Sequence, residues 1–451
     1  MNMRHRVLPL LCAFALCSCD QAFSGGIAGG YSQQRTNTLT RTVRLRGHTS
    51  QSAIQHIVII VQENRSVDDL FQFLPGANTQ SYGPASHGNR RIQLQPESLA
   101  APYDLGHGHP NWITEYANGA MNGFDQELCT GTCPKDSAFS YVPQSDVGPY
   151  YSLAETYAFA DNFFQSNQGP SFPAHQYLVS GTSTVSDGSA NKAASNPAPV
   201  GSGGCDSPQG SLVQVITPQG TEPLNLRMYP CFKRQSIMNE MDAAGVTWKY
   251  YQSKSGAGIW NAVDAIYSIW SNPAEMAANV VTPSSQILTD IANNQLADVV
   301  WVTPTRQASD HPGSTDGSGP SWVGSIVNAI GNSQYWNNTA ILITWDDWGG
   351  FYDHVTPTVY NSYELGFRVP LVIVSPYAKS HYVSHVQYEF GSILKFTEET
   401  FGLPSLNTTD ARANDLSDLF NFSQQRIKFI HIRTKYSARH FLSQSSTGPE
   451  D

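Results

Sequence analysis

The sequence predicts a three-layer α/β/α sandwich with a mostly parallel central sheet. Three observations carry that reading: short β-branched runs that are apolar on both faces, amphipathic helical stretches between them, and polar clusters directly after two of the runs. Residues 54–61 (IQHIVIIV) form the first run, and apolar residues on both faces suit a central strand covered from both sides. Comparable runs lie at 298–302 (DVVWV), 340–344 (AILIT) and 370–375 (PLVIVS). Between them, residues 236–244 place Ile237, Met238 and Met241 on one helical face and stop at Gly245. Residues 284–294 do the same with Ile287, Leu288 and Ile291, and residues 322–330 and 390–401 show similar helical patterns. Strands alternating with helices indicate a parallel sheet with helices on its faces.

Composition narrows the function. Forty per cent hydrophobic and 11% aromatic residues exclude a disordered chain. With 26 basic against 36 acidic residues the net charge is −10, which disfavours nucleic acid as a partner. Arg4 and Arg6 precede an apolar stretch at 7–16 that is too short for a bilayer and suits a signal sequence. Leu16-Cys17-Ser18-Cys19 resembles a bacterial lipobox, with Cys19 as the lipidated N-terminus, and cleavage after Ala15 is the alternative. Removing residues 1–19 leaves 24 basic residues against 36 acidic ones. The chain is therefore expected to be exported, either anchored by lipid at the cell envelope or secreted.

Residues 20–50 read as a flexible tether, 51–434 as a catalytic domain and 435–451 as a polar tail. Within the domain, residues 180–225 are rich in Gly, Ser, Ala and Pro and are expected to form an insertion over the substrate site. Cys129, Cys133, Cys205 and Cys231 read as two disulfides in an exported chain. Local pairing, Cys129 with Cys133 and Cys205 with Cys231, is preferred among the three connectivities. No stretch after the signal is long and apolar enough for a transmembrane helix.

The residues that carry chemistry follow the strands. In a parallel α/β sheet, functional groups gather beyond the carboxyl ends of the strands. The first run ends in Gln62-Glu63-Asn64-Arg65-Ser66, and the third in Trp345-Asp346-Asp347-Trp348-Gly349-Gly350. Glu63, Asn64, Asp346 and Asp347 together offer three carboxylates and an amide oxygen, donors that suit a hard or borderline divalent cation. Taken singly, Asn64 would cap a helix and the paired aspartates would form a turn. Ser171 lies in Gly169-Pro170-Ser171-Phe172-Pro173, where the two prolines are expected to hold its hydroxyl in an exposed loop. A serine hydroxyl becomes a useful nucleophile when a divalent cation activates it. His107, His109, His311 and His354 stand in short polar or Gly/Pro-flanked segments, where imidazoles can donate to phosphate oxygens or protonate a leaving alkoxide.

Three of these segments, Glu63-Asn64-Arg65-Ser66-Val67-Asp68, Gly169-Pro170-Ser171-Phe172-Pro173 and the run from Thr344 to Val355, resemble successive signatures of one family. That family is the bacterial phosphoesterases that include non-haemolytic phospholipases C and the acid phosphatase AcpA. Ser145-Asp146-Val147, Asp161-Asn162-Phe163-Phe164, Arg368-Val369-Pro370 and residues 391–396 agree with it. The resemblance implies an alkaline-phosphatase-like core and metal ligands at Glu63, Asn64, Asp346 and Asp347. It also implies that Ser171 bridges metal and phosphorus, and that His107 and His311 contact the phosphoryl group. His109 and His354 sit in matching motifs and are carried as a substrate-binding and a catalytic candidate, with His311 or His354 protonating the leaving group. The cofactor expected is one or more divalent ions, with Ca, Mn, Fe and Zn all compatible. Phospholipase members usually carry threonine where this chain has Ser171, whereas the acid-phosphatase branch has serine, so a phospholipid and a phosphomonoester both stand as substrates. A sulfatase-like esterase is disfavoured because Ser171 lacks a Cys/Ser-x-Pro-x-Arg context. A surface-anchored binding protein without turnover is disfavoured because every expected position is filled.

Overall fold

The structure, a computed structural model, describes residues 53–445. The signal sequence, Cys19 and the tether lie outside the described residues, as does the end of the tail.

The central sheet has eight strands. In chain order they are β1 (His56–Gln62), β2 (Ala158–Ala160), β3 (Trp248–Tyr251), β4 (Val280–Val281), β5 (Val299–Val302), β6 (Thr339–Trp345), β7 (Leu371–Val374) and β8 (Tyr382–Ser384). Their order across the sheet is β4-β3-β5-β1-β6-β7-β2-β8. Every pairing is parallel except the two made by β7, which runs antiparallel to β6 and to β2. The four apolar runs read from the sequence are β1, β5, β6 and β7. The strands not anticipated are two to four residues long, too short to show a period.

All of β5, β6 and β7, and β1 from Ile57 onward, are buried, as strands covered on both faces must be. The principal helices fall into two packed groups. In one, α3 (Gly148–Thr156), α6 (Gln286–Ala292) and α9 (Ala438–Ser443) pack on α7 (Gly319–Gly331). In the other, α4 (Ser171–Ser180) packs on α5 (Ile237–Ala244) and α8 (Phe390–Phe401). The sheet between two helical layers is the expected three-layer sandwich. Gly245 ends α5 in the left-handed region at φ 69°, where a glycine meets no steric cost. The tail departs from expectation: Phe441 on α9 is buried with its ring 5.3 Å from that of Trp322, so apolar burial holds residues expected to be a polar tail. Among the described residues no helix is long and apolar enough to cross a membrane.

Two shorter helices matter for the site: α1 (Val67–Leu70) and α2 (His109–Tyr116). The chain around α2 folds over a second core that includes Trp112, Phe124, Phe139, Trp348, Phe351 and Phe367. The disulfides are Cys129–Cys133 and Cys205–Cys231, the local pairing preferred from sequence.

Asp310 ties the layers together. Its Oδ2 accepts from Tyr150 of α3 at 2.8 Å and from the Trp345 indole of β6 at 2.9 Å. Burial pushes its carboxyl up to about 6, against the lowering influence of Arg65 and the two hydrogen bonds. The folded state therefore binds this proton more tightly than the unfolded chain, where an aspartate titrates near ~4. The stability it contributes is complete below that value and is lost as pH rises through about 6. Asp310→Asn is neutral throughout, so its melting temperature should gain on the wild type across that interval in fluorimetry scans. Melting curves that run parallel in pH would contradict this.

Candidate active site

Strands β5, β1 and β6 are neighbours running the same way, so their carboxyl ends share one edge of the sheet. Gln62 is in register with Trp345, which brings Glu63 and Asn64 beside Asp346 and Asp347. The junction is tied by Asp346 N donating to Gln62 O at 2.9 Å and Arg65 N donating to Asp347 O at 2.9 Å. One carboxylate oxygen, Asp346 Oδ1, accepts from Asn64 N at 3.0 Å and from Asp347 N at 2.8 Å. Asn64 sits at φ 62°, a left-handed conformation that asparagine tolerates better than most residues. It does not cap α1, a role taken by Ser66. Gly349 approaches so closely that a Cβ there would lie 2.4 Å from the Asn64 carbonyl oxygen, and its φ of +63° adds a second demand for glycine.

Ser171 arrives from another strand on the same edge. β2 runs parallel to β6, both being antiparallel to β7, and Ser171 follows its carboxyl end as the first residue of α4. This corrects the exposed-loop expectation: Ser171 is fully buried. Pro170 stands just before the helix and Pro173 within its first turn, where a missing N–H costs nothing, so the prolines start a helix rather than shape a loop. The Ser171 hydroxyl donates to Asp347 Oδ2 at 3.3 Å, and Asp347 Oδ1 accepts from Gly349 N at 2.8 Å.

One residue of the site was absent from the sequence-derived set. His175 lies four residues after Ser171 on α4, hence on the same helical face. Its Nε2 is 3.3 Å from Glu63 Oε1 and 3.7 Å from Asp346 Oδ2. Neither ring nitrogen makes a hydrogen bond among the described residues. Burial pushes the imidazole down to about 4, against the pull of Asp346, so it is a neutral base facing two carboxylates. The Ser-x-x-x-His spacing was the available signal, legible only once residues 171–180 are read as helix.

The histidines divide. In the neutral tautomer protonated at Nδ1, His107 donates to Leu105 O at 2.7 Å and accepts from the Asn64 amide at 3.1 Å through Nε2. The His107 and His311 ring centres are 5.6 Å apart, and His311 Nδ1 lies 2.8 Å from Pro312 O. His109 opens α2 and meets Glu222 Oε1 at 2.5 Å through Nδ1. Glu222 belongs to residues 180–225, so that segment folds back to His109. His354 does not join the Ser171 cluster. Asp68 Oδ2 takes both its backbone N–H, at 2.8 Å, and its Nδ1, at 2.7 Å, while its Nε2 faces Asn78 Oδ1 at 3.2 Å. Arg368 binds Asp353 with two hydrogen bonds beside it, at 2.7 and 3.0 Å. Asp68 and Asp353 thus neutralise Arg368 and hold His354 as part of an ion-pair network, which removes it from the catalytic set.

The residues present fit a cation. Glu63, Asp346 and Asp347 are wholly buried together. Burial, then the neighbouring Asp346 charge, pushes the Asp347 carboxyl well above its usual range, against His107 and His311. Buried carboxylates at this density need positive charge to stay ionised. Asn64 Oδ1 and Asp346 Oδ2 are buried oxygens that accept no hydrogen bond among the described residues, which leaves them available as ligands. Donor atoms of Glu63, His175 and Asp346 lie within 4.8 Å of one another.

Comparison with known proteins identifies the family. The Phosphoesterase family profile matches residues 54–404. Phospholipase C B of Mycobacterium tuberculosis is 26% identical over 443 residues, covering 84% of this chain and 79% of that protein. Hemolytic phospholipase C of Pseudomonas aeruginosa is 24% identical, covering 88% of this chain but 60% of that longer protein. Non-specific phospholipase C6 of Arabidopsis thaliana is 23% identical over 84% of this chain and 75% of its own length. Among solved structures, a phosphonate monoester hydrolase from Silicibacter pomeroyi covers 60% of this chain and 71% of its own at 11% identity and a TM-score of 0.33, too low to carry an argument.

Proposed function

The chain belongs to the Phosphoesterase family and hydrolyses phosphate esters, and from that premise we propose that Ser171 is its nucleophile and a phospholipid phosphodiester its substrate. The observation that carries the nucleophile is the placement of the Ser171 hydroxyl, at the first turn of α4 and 3.3 Å from Asp347 Oδ2, against the acidic cluster ending β1 and β6. The phosphodiester reading rests on relatives named phospholipase C.

In the proposed reaction, Ser171 Oγ passes its proton to Asp347 Oδ2, which it already meets at 3.3 Å, and forms a bond to phosphorus in line with the leaving oxygen. The phosphorus–oxygen bond to the leaving alcohol breaks, and His311 gives that alkoxide a proton. Water then cleaves the phosphoseryl ester, its hydroxide joining phosphorus and its proton returning to His311, while the proton held on Asp347 restores the serine hydroxyl and the phosphorylated headgroup leaves. The N-terminal end of α4 favours the negative charge carried by the phosphoryl oxygens. His109, held by Glu222, is proposed to contact substrate.

Glu63, Asn64, Asp346 and Asp347 are the proposed ligands of a divalent cation, with His175 added by the structure. When bound, such an ion lowers the pKa of the serine hydroxyl and neutralises the carboxylates. A nitrogen donor among oxygens favours Mn, Fe or Zn over Ca. The chain is further proposed to act outside the cytoplasm, on the strength of its N-terminal signal pattern.

The substrate test is a panel: phosphatidylcholine, a soluble phosphodiester and a phosphomonoester, each with metal added back after chelation. Hydrolysis of both diesters well above the monoester is expected. Preference for the monoester would replace the phospholipid reading with a phosphatase.

A further inference from the structure

Three arginines are buried among the described residues, Arg65, Arg234 and Arg368. Two of them meet carboxylates: Arg65 pairs with Asp69 at 3.2 Å and Arg368 with Asp353 at 2.7 Å. Arg234, only 3% exposed, makes no ion pair among the described residues. Its guanidinium donates to two neutral oxygens, Thr184 O at 2.6 Å and Gln176 Oε1, and its Cζ lies 4.8 Å from the Phe232 ring centre. Those two bonds leave three of its five N–H groups, that of Nε included, without a protein acceptor among the described residues. Burial pushes its pKa down to about 9, against the weaker pull of Tyr177 and Asp187. A buried cation of this kind is costly unless a counter-charge joins it.

Arg234 lines a cavity of about 300 Å³, together with Thr184 and Ser189 from the Gly- and Ser-rich segment and Asn407 and Thr408 from the chain after α8. A second cavity of about 390 Å³ adjoins it and shares those four residues. In the second cavity the charges are already matched. Glu364 lies 3.5 Å from Lys192 and 2.6 Å from Arg412, and Arg412 also meets Glu389 at 2.7 Å. The other acids of the region are bonded to neutral groups. Asp187, exposed at the rim, accepts from Gln235 N at 3.1 Å, and Asp410 accepts from the Thr408 backbone N–H at 2.7 Å and hydroxyl at 2.8 Å. Arg234 is thus the cation of this region that lacks an acid. Leu406 is the only large aliphatic side chain in either lining, so hydroxyls and amides dominate both.

We propose that the two cavities form a second ligand site, which takes a small phosphorylated polyol with its phosphate against Arg234 and its hydroxyls along the serine and threonine side chains. A planar guanidinium with unused N–H groups matches phosphate oxygens, and a phosphate dianion offers more acceptors than a carboxylate does. The site is separate from the candidate catalytic centre. Ser171 opens α4 and Gly181, its C-cap, lines the second cavity, so the ten residues of the helix put about 15 Å between the two. Binding there requires nothing of the phosphodiester reading.

Hydrogen–deuterium exchange of the full-length, metal-loaded enzyme, mapped by mass spectrometry with glycerol 3-phosphate as the probe, tests this. Peptides spanning residues 182–189 and 405–412 should gain protection, read separately from any change around Ser171. Glycerol alone should give none. Arg234→Gln should raise the probe concentration needed by about 10-fold or more, the loss expected when charge-assisted hydrogen bonds are removed. Ser189→Glu sets an acid at a half-buried position shared by both cavities, so it should weaken binding as much while soluble-phosphodiester turnover stays within about twofold. This second variant decides the matter if Arg234→Gln does not fold. A wild-type enzyme with no added protection in these peptides at millimolar probe would overturn the site, as would protection that Ser189→Glu leaves unchanged. Equal protection by glycerol or by glycerate would overturn the assignment of phosphate.

Discussion

Ser171→Ala is expected to lower turnover by roughly 10²-fold or more, the loss typical when an acting nucleophile is deleted. Only the attacking oxygen is removed, so substrate affinity should stay close to wild type. Stability should change little. The buried hydroxyl makes one hydrogen bond, to Asp347 Oδ2, worth about 1 kcal/mol, and alanine leaves no cavity large enough for water. Asp347 keeps its bond from Gly349 N, so the turn at the end of β6 should hold. A Ser171→Thr enzyme keeps a hydroxyl and should retain measurable activity, with the extra methyl crowding a fully buried position. If Ser171 only started a helix, alanine would serve equally well there and turnover would stay near wild type. Steady-state kinetics of the two variants against a soluble phosphodiester separate these outcomes.

Loss of the proposed cation should be as severe. Chelation should abolish turnover, and Glu63→Gln should lose metal and about 10³-fold in rate, since a metal contributes several kcal/mol at roughly 1.4 kcal/mol per factor of ten. Glu63→Gln is a cleaner probe than Asp346→Ala. Asp346 Oδ1 also accepts two backbone N–H groups, from Asn64 and Asp347, and its removal would strand both in the interior. Asp346→Asn keeps an acceptor there while discarding the charge. His175→Ala should lower metal content in the same direction, although no sequence argument had included it. Metal analysis by mass spectrometry on the purified variants reads this independently of activity. Full metal occupancy in Glu63→Gln and Asp346→Asn would remove them from the ligand set.

Much of the site was legible because it lies at chain positions where the sequence changes character abruptly. An apolar strand that ends in Glu63-Asn64, and another that ends in Asp346-Asp347, can be read without coordinates, and the sheet then makes them neighbours through the Gln62–Trp345 register. His107 and His311 followed from their motifs. What remained hidden depended on packing rather than pattern. His175 enters because Ser171 begins a helix, and the bracketing prolines had suggested a loop. Glu222 enters because a Gly- and Pro-rich segment folds back to His109, a long-range contact with no periodic signature. His354 was misplaced for a related reason. Its motif adjoins the acidic pair in sequence, but Asp68 and Asp353 gather it into the Arg368 network. The antiparallel course of β7 was equally invisible, since an apolar run carries no direction.

The most direct test of the account is to find phosphate on Ser171 itself. The enzyme would be mixed with a phosphodiester, quenched in acid within its first turnovers, digested, and mapped by mass spectrometry, with Ser171→Ala treated in parallel. The account predicts that the peptide containing Ser171 carries the mass of the phosphorylated headgroup, appearing with turnover and absent from the variant. A wild-type enzyme that turns over steadily, with that peptide unmodified at every quench time and the variant still active, would contradict it.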